Sequence, residues 1–366
     1  MFEKLTKTYI QQEAPATVIP HCMSVPAVKK NFGLETVYKL ASNENPFGVS
    51  PKAAEAIRGA IAECHIYSDG TRENVLSEKL AALHSVEADN IFIAGGAASA
   101  LSQIADTFLV SGDECIIPSP AYPPYYFWAF RNDAAIVDVP CISADQTMDL
   151  DGILAAVTDK TKLLFLCNPN NPTSTAVSRE KMAELLRKLP QTAIVVADEA
   201  YIDFADDPAN LTMVPCLAEF PNLIVVRTFS KLYGMASVRL GYSIAGREIT
   251  DYLNKAVACR GINTFGVEGG IAALDDEEFR QKTILNNREQ RDYLTREISC
   301  LGFKVYHSQA NFIWVDFGRP ASDVHDDLLP YGIIIRGDFP FARISIGQPV
   351  QNQALVAALK EIAARS

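Results

Sequence analysis

Six short apolar runs recur along much of the chain, and segments of helical character separate several of them. In order, the runs occupy residues 90–94, 114–118, 134–139, 163–167, 194–197 and 223–226. Runs of this length that alternate with helices are typical of strands in a mostly parallel sheet that helices cover on both faces. Ligands of such sheets bind beyond the carboxyl ends of the strands. The residues that follow each run are therefore the candidates for function.

The residues after the last of these runs combine a lysine with groups that suit an anion. Thr228 and Ser230 precede Lys231, and Arg239 lies eight positions beyond the lysine. A lysine at the carboxyl end of a buried strand costs free energy unless its amine has a function there. Formation of a Schiff base with a carbonyl cofactor is one such function. Two hydroxyls and an arginine suit a phosphate. The simple alternative is a basic loop that leaves the core.

Two other strand ends carry groups that suit parts of a charged, planar ligand. Gly96 leads into a helix whose first backbone amides, those of Ala97 and Ala98, could hold a phosphate. Asp198 follows a buried run and needs a cationic partner, for which a protonated pyridine nitrogen would serve. Each group also has a purely structural alternative. The glycine turn could simply connect a strand to a helix, and Asp198 could cap a helix or form an ion pair.

Two tyrosines, an amide and an arginine complete the set. Tyr122 offers a flat face to a planar ring, although packing is the commoner fate of a tyrosine. Asn171 and Tyr201 could hydrogen-bond a phenolate oxygen. Arg343 lies in an apolar segment, where it needs an anion, either a substrate carboxylate or a structural ion-pair partner. Together these groups match the aldehyde, ring nitrogen, phenolate and phosphate of pyridoxal 5′-phosphate (PLP).

The last part of the chain has a different pattern, in which a long charged helix precedes short strands and a final helix. Helices are expected at 279–301 and 351–364, and strands at 311–315, 333–336 and 342–346. This order predicts a smaller α+β domain. The predicted division is an N-terminal arm (1–45) that packs with the small domain, a large PLP-binding domain (46–278) and the small domain (279–366).

Composition argues against several classes of protein. A net charge of −11 disfavours nucleic acid or an anionic membrane as a partner. No apolar run approaches the roughly 20 residues that span a bilayer, and the N-terminus lacks the pattern of a signal peptide, so a cytoplasmic protein is expected. The eight cysteines and five histidines are scattered without metal-binding spacing. We therefore predict no metal site and no disulfide framework.

At these motifs the chain resembles the class I and II aminotransferases of PLP fold type I, and among them the histidinol-phosphate aminotransferase branch. The resemblance runs from residues 39–46 to residues 343–347 and rests on segments 170–173, 198–201 and 230–231 together with Arg239. It implies an α/β fold with a mostly parallel seven-stranded sheet between helices, a smaller α+β domain, and a homodimer with shared active sites.

The resemblance also implies roles around the cofactor ring. Lys231 would form the Schiff base with PLP and then carry the proton between the substrate and the cofactor. Asp198 would hold the proton on the pyridine nitrogen. Tyr201 and Asn171 would hydrogen-bond the ring hydroxyl oxygen, and Tyr122 would stack on the ring.

Further roles concern the phosphate and the substrate. The phosphate would be bound by the backbone of Gly96, Ala97 and Ala98 and by the side chains of Thr228, Ser230 and Arg239. Tyr67 would reach a phosphate across the dimer interface. Arg343 would bind the substrate carboxylate, with Asn43 and Asn171 beside it.

The reaction implied is a ping-pong transfer of an amino group from an L-amino acid to a 2-oxo acid such as 2-oxoglutarate. The donor is expected to be histidinol-phosphate-like or aromatic, and segment 21–26, which replaces the branch's usual Tyr-x-Pro-Gly, leaves this choice open. Another PLP reaction on the same scaffold is an alternative: decarboxylation of a phospho-amino acid, or oxidase-like or cyclase-like chemistry. A further alternative is a PLP-binding domain without turnover.

Overall fold

The computed structural model describes residues 23–257 and 261–365, so the predicted arm and segment 21–26 lie partly outside the described residues. Twelve strands are present in this part of the chain. In chain order they are β1 Tyr38–Lys39, β2 Ile91–Ala94, β3 Glu114–Ser119, β4 Ala135–Pro140, β5 Thr161–Cys167, β6 Ile194–Asp198, β7 Leu223–Thr228, β8 Gly241–Ala245, β9 Lys304–Val305, β10 Phe312–Asp316, β11 Ile333–Ile334 and β12 Ala342–Ser345.

Helices follow most of the strands. They are α1 Val25–Phe32, α2 Pro51–Ala60, α3 Thr71–His84, α4 Ala97–Phe108, α5 Pro124–Arg131, α6 Leu150–Ala155, α7 Arg179–Lys188, α8 Pro208–Leu211, α9 Arg247–Ala256, α10 Thr264–Leu274, α11 Glu277–Cys300, α12 Ala321–Leu328 and α13 Pro349–Arg365. The hydroxyl of Ser50 accepts from the backbone N–H of Ala53 and caps the beginning of α2. No described helix is both long and apolar enough to cross a membrane.

The main sheet has seven strands in the order β2-β8-β7-β6-β5-β3-β4. Strands β3 to β7 run parallel, whereas β8 is antiparallel to both of its neighbours. The mostly parallel seven-stranded sheet is therefore confirmed. Strand β8 was not among the six apolar runs because Tyr242 and Ser243 interrupt its apolar character, although all five of its residues are buried.

Helices cover both faces of this sheet. Leu164 and Leu166 of β5 pack on one face, in a cluster with Leu76 of α3 and Met182 of α7. The alternate residues of β5 pack on the other face against α4 and α5, in a cluster that includes Phe165, Leu101, Ile104 and Trp128. Burial on both faces explains why the parallel strands are continuous apolar runs.

The C-terminal part has a separate core around a three-stranded antiparallel sheet, β12-β10-β9. Strand β1 pairs in parallel with β11, which joins the segment after α1 to this part of the molecule. The strand predicted at 333–336 changes partner along its length, because Arg336 bridges to Arg343 of β12 instead of β1. The domain boundaries at 45/46 and 278/279 stay a prediction.

Candidate active site

A cavity of about 180 Å³ lies where the carboxyl ends of β5, β6 and β7 meet the beginning of α4. Its walls bring together ten of the residues predicted from the sequence: Ala97, Ala98, Tyr122, Asn171, Asp198, Tyr201, Thr228, Ser230, Lys231 and Arg239. Leu101, Cys167, Ala200 and Ala236 also line it. The parallel strands thus bring residues far apart in sequence to one edge of the sheet, as expected for this architecture.

Asp198 is the last residue of β6 and is 4% exposed. Its Oδ2 accepts a hydrogen bond from the hydroxyl of Tyr125 at 2.6 Å, and its Oδ1 accepts from the backbone N–H of Ala200 at 3.1 Å. Burial raises the pKa of Asp198 to about 6, although both hydrogen bonds act in the opposite direction. A cationic N–H group in the cavity would favour the ionised carboxylate, and a protonated pyridine fits this requirement.

Lys231 follows β7 and directs its amine toward the same cavity. Its Nζ lies 5.5 Å from the ring centroid of Tyr201 and donates to the carbonyl oxygen of Ser42 at 3.3 Å. Burial lowers the pKa of Lys231 to about 8, and the positive charges of Arg343 and Arg239 act in the same direction. A substantial neutral fraction near physiological pH makes this amine a nucleophile for a carbonyl group.

The beginning of α4 and the loop after β7 form an anion-binding end of the cavity. Within the described chain, no side chain caps the first turn of α4, so its amides are available to a ligand. Gly96 has φ of +95°, and a Cβ at this position would collide with the guanidinium of Arg239. Glycine therefore allows Arg239 to approach the helix N-terminus. The hydroxyls of Thr228 and Ser230 lie at the same end, and this donor set fits a phosphate.

Tyrosines border the part of the cavity that would receive a ring. Tyr122 lies edge-on to Tyr125 at a centroid distance of 5.4 Å. The hydroxyl of Tyr201 accepts from Nδ2 of Asn43 at 3.3 Å. Burial raises the pKa of Tyr201, so its hydroxyl keeps a proton that it can donate to an oxygen of a bound ring.

The predicted substrate residues lie together beside the cavity, although only Asn171 lines it. Arg343 of β12 is 4% exposed, and its guanidinium donates to Oδ1 of Asn171 and to the carbonyl oxygen of Ala41, both at 2.6 Å. The side chain of Asn43 accepts from the hydroxyl of Ser345, also on β12, at 2.9 Å. Arg343 is thus held beside the cavity by groups from two separate segments, those of Asn171 and Ala41.

Tyr67 does not join this cluster within the single chain, since its side chain is 99% exposed to solvent. A role for Tyr67 requires a second subunit and stays a prediction. Among residues 23–257 and 261–365, no group of three or more His, Cys, Asp or Glu side chains has an arrangement that could hold a metal ion.

Sequence reasoning missed the position of Tyr125. None of the four aromatic residues at 125–128 lines the cavity. Tyr125 instead contacts Asp198 from the buried core, while Tyr126 donates to Asp138 at 2.8 Å. The separation of 73 residues between Tyr125 and Asp198 leaves no local signal for their contact.

Comparison with known proteins extends the similarity over most of the chain. The family model for aminotransferase class I and II matches residues 35–359. The histidinol-phosphate aminotransferase of Symbiobacterium thermophilum is 38% identical over 338 residues, which are 91% of this chain and 92% of that protein. The enzyme of the same name from Brevibacillus brevis is 38% identical over 340 residues, 92% of this chain and 93% of that protein.

Solved structures are similar as well. The histidinol-phosphate aminotransferase from Sinorhizobium meliloti, in complex with pyridoxal 5′-phosphate, superposes with a TM-score of 0.88 at 29% identity and covers 98% of both chains. The aspartate aminotransferase from Thermus thermophilus with maleate has a TM-score of 0.80 at 22% identity, over 98% of this chain and 99% of that chain, and shares the fold.

Proposed function

Because the chain belongs to the class I and II aminotransferases, we propose that it transfers an amino group by a ping-pong sequence from a histidinol-phosphate-like or aromatic donor to a 2-oxo acid such as 2-oxoglutarate. The enzyme is a PLP-dependent transaminase. One observation supports the assignment of residues most strongly. Asp198, whose pKa is raised, and Lys231, whose pKa is lowered, line the same cavity. Pairs of this kind are typical of active sites.

The residues around the cavity divide into those that would hold the ring and those that would hold the phosphate. When bound, PLP supplies an aldehyde that condenses with amines and a protonated ring that withdraws electrons from the adjoining carbon atoms. Asp198 would hold the ring nitrogen, Tyr201 and Asn171 the ring hydroxyl oxygen, and Tyr122 would lie against the ring. The phosphate would be held by Gly96, Ala97, Ala98, Thr228, Ser230 and Arg239.

Lys231 has two tasks in this scheme, both at Nζ. It would hold the cofactor covalently before the donor arrives, and its released amine would then remove the Cα proton of the donor. A base must be neutral, and the burial and neighbouring cations that lower the pKa of Lys231 to about 8 keep part of the amine neutral. Arg343 would orient the acid group of the donor so that its Cα–H faces this amine.

We also propose a homodimer with shared active sites. Ile61, Ile66 and Tyr67 are 58%, 59% and 99% exposed in the single chain, which is an unusual concentration of large apolar side chains on one surface segment. A second copy that covers this segment would bring Tyr67 within reach of a phosphate. Size-exclusion chromatography with light scattering tests the dimer, and Tyr67→Phe tests the contact through the affinity for PLP.

The central experiment combines the cofactor adduct with the reaction products. Reduction of the PLP-loaded protein with borohydride should leave the cofactor attached to the peptide that contains Lys231 through a secondary amine, with a mass gain equal to PLP minus one water plus two hydrogen atoms. Lys231→Ala should abolish both the adduct and turnover. Incubation with candidate donors and 2-oxoglutarate should form glutamate together with the 2-oxo product of the donor. An adduct on another lysine would contradict the residue assignment, and carbon dioxide release without glutamate would contradict the reaction.

A further inference from the structure

A second arginine lies directly beside the predicted carboxylate-binding arginine. The backbones of Arg336 and Arg343 exchange two hydrogen bonds, of 3.1 and 3.0 Å, across an antiparallel bridge. Residues that face each other in such a pair project their side chains to the same face of the sheet. Arg336 therefore extends from the face on which Arg343 reaches Asn171.

The charge of Arg336 is compensated within its own loop. Its Nε donates to Oδ1 of Asp338 at 2.6 Å, and one of its terminal nitrogens donates to Oδ2 at 2.5 Å. The side chains are only 10% and 13% exposed, so this bidentate pair is largely shielded from water. The two residues are separated by one position, and the arrangement is consequently built into the turn itself.

One aromatic ring connects this pair to Arg343. The ring centroid of Phe339 lies 5.0 Å from the guanidinium carbon of Arg336 and 5.9 Å from that of Arg343. Trp314, which pairs with Arg343 across β10 and β12, packs edge-on against the same ring at 5.8 Å. The Arg336–Asp338 pair therefore shares the immediate surroundings of the arginine that would bind the donor's acid group.

We propose that Asp338 determines which acid group this subsite accepts, so that the enzyme takes α-amino acids with a carboxylate in preference to amino-alcohol phosphate esters. This inference rests on the proposed function, in which Arg343 receives the donor's acid group. Two adjacent guanidiniums alone would suit a phosphate ester, which carries up to two negative charges near neutral pH. Asp338 makes the subsite one charge less positive, which suits the single charge of a carboxylate.

Repulsion adds to this effect. A phosphate that reached Arg336 would have to displace the carboxylate of Asp338 or lie beside it in a poorly solvated site, where like charges repel strongly. A carboxylate on Arg343 has no need to disturb the pair. Specificity would thus come from an element that disfavours the doubly charged donor as well as from attraction to the singly charged one.

The test uses two donors that differ only in the acid arm, L-histidine and L-histidinol phosphate. The wild-type enzyme should have the higher kcat/KM for L-histidine. Asp338→Asn keeps the size of the side chain and removes its charge, and should shift the ratio of the two kcat/KM values toward the phosphate ester by roughly tenfold, which corresponds to about 1.4 kcal/mol. Asp326→Asn removes a charge from an exposed position of α12 and should leave the ratio unchanged.

A double variant tests whether Asp338 acts through Arg336. In Asp338→Asn combined with Arg336→Gln, the second guanidinium is absent, so the donor ratio should return toward that of the wild type. Two inhibitors that have no amine and do not react, 3-phenylpropionate and 3-phenylpropyl phosphate, give a second measurement. From variant to variant, the ratio of their inhibition constants should shift in the same direction as the preference between the two donors. This second readout does not depend on which donors turn over.

Two outcomes would overturn the proposal: a wild-type enzyme that prefers the phosphate ester in either measurement, or an Asp338→Asn variant whose ratios equal those of the wild type. These outcomes are distinct from failure of the proposed function, which would appear as a wild-type enzyme that forms no glutamate from any donor. Melting temperatures of the variants would show whether a changed ratio comes with a disturbed fold.

Discussion

The hydroxyl of Tyr125 donates a hydrogen bond to Oδ2 of Asp198 at 2.6 Å, and the tyrosine ring is stacked on Phe165 at a centroid distance of 4.6 Å. Tyr125 and Phe165 are almost fully buried, so the position of the hydroxyl is fixed by packing. Its hydrogen bond lowers the pKa of Asp198, against burial, which raises it. Tyr125 therefore helps to ionise the carboxylate that would face the ring nitrogen.

Tyr125→Phe should weaken PLP binding most strongly under mildly acidic conditions. Without the hydroxyl, the pKa of Asp198 should rise further above about 6, because one hydrogen bond to the ionised form is lost. The affinity of the cofactor-free protein for PLP should fall as the pH drops through the pKa of Asp198, and this fall should begin at a higher pH in the variant. Fluorescence titrations with PLP over a range of pH values measure both curves.

Tyr126→Phe is the matched control for this experiment. The neighbouring tyrosine donates to Asp138 at 2.8 Å and does not line the cavity, so the same loss of a hydroxyl should leave the binding curve in place. Identical curves for Tyr125→Phe and the wild type would show that the hydrogen bond does not tune Asp198.

The capture of PLP by the cofactor-free protein should accelerate as the pH rises through about 8, since only the neutral amine of Lys231 attacks the aldehyde. The charge of Arg343 contributes to the lowered pKa of this lysine. Arg343→Met should therefore move the midpoint of the rate profile to higher pH, while Arg319→Met, at a half-exposed surface ion pair, should not. Stopped-flow absorbance measures the profiles, and an unchanged midpoint in Arg343→Met would contradict the electrostatic explanation.

Gly96→Ala should weaken the binding of the phosphate specifically. The added Cβ would collide with the guanidinium of Arg239. Gly112→Ala is the matched control, because Gly112 has a similar positive φ but a Cβ there would have nothing within 4 Å. We expect the affinity for PLP to fall by roughly tenfold or more in Gly96→Ala, the scale of one lost hydrogen bond to a charged group. Affinity for pyridoxal, which has no phosphate, should change little. Equal losses for the two ligands would show that the variant disturbs the whole cavity.

The convergence of the proposed cofactor-binding residues on one cavity could be predicted from the sequence because the strands that carry them are continuous apolar runs. Asp198 ends β6 and Thr228 ends β7, and the ends of parallel strands necessarily meet at one edge of the sheet. Gly96 could be predicted as part of the site because it follows the apolar run of β2 and directly precedes α4. Local pattern and topology together were sufficient for this part of the site.

Other features depend on contacts that no local pattern encodes. Tyr125 reaches Asp198 through the packing of α5 on the sheet, and Arg336 is placed beside Arg343 by a single bridge in a strand that changes partner. Strand β8 has buried polar residues, which hide it from a search for apolar runs. A role for Tyr67 needs a second subunit, and a single sequence contains no direct information about that contact.

Asp198→Asn should stabilise the cofactor-free protein while it removes the additional stability that PLP gives. Burial raises the pKa of Asp198 from 3.8 to about 6, so the stability contributed by its protonated form is complete below the unfolded pKa and is lost as the pH rises through about 6. Near neutral pH this loss corresponds to about 3 kcal/mol for a shift of this size. Asparagine carries no charge, so the variant avoids this loss of stability. The loss of one hydrogen-bond acceptor offsets about 1 kcal/mol of the stability that the variant gains.

Melting temperatures of the wild type and Asp198→Asn, each with and without PLP, measure both effects: the stability of the cofactor-free protein and the stability that PLP adds. The variant should melt above the wild type in the absence of cofactor near neutral pH. The difference should shrink as the pH falls from about 6 to about 4, below which the aspartate is protonated in both the folded and the unfolded state. Added PLP should raise the melting temperature of the wild type and have a much smaller effect on the variant, because binding to the folded state alone produces such a rise. A cofactor-free variant less stable than the wild type near neutral pH would mean that Asp198 is already ionised and compensated by protein groups, and that the ring nitrogen is not the partner it requires.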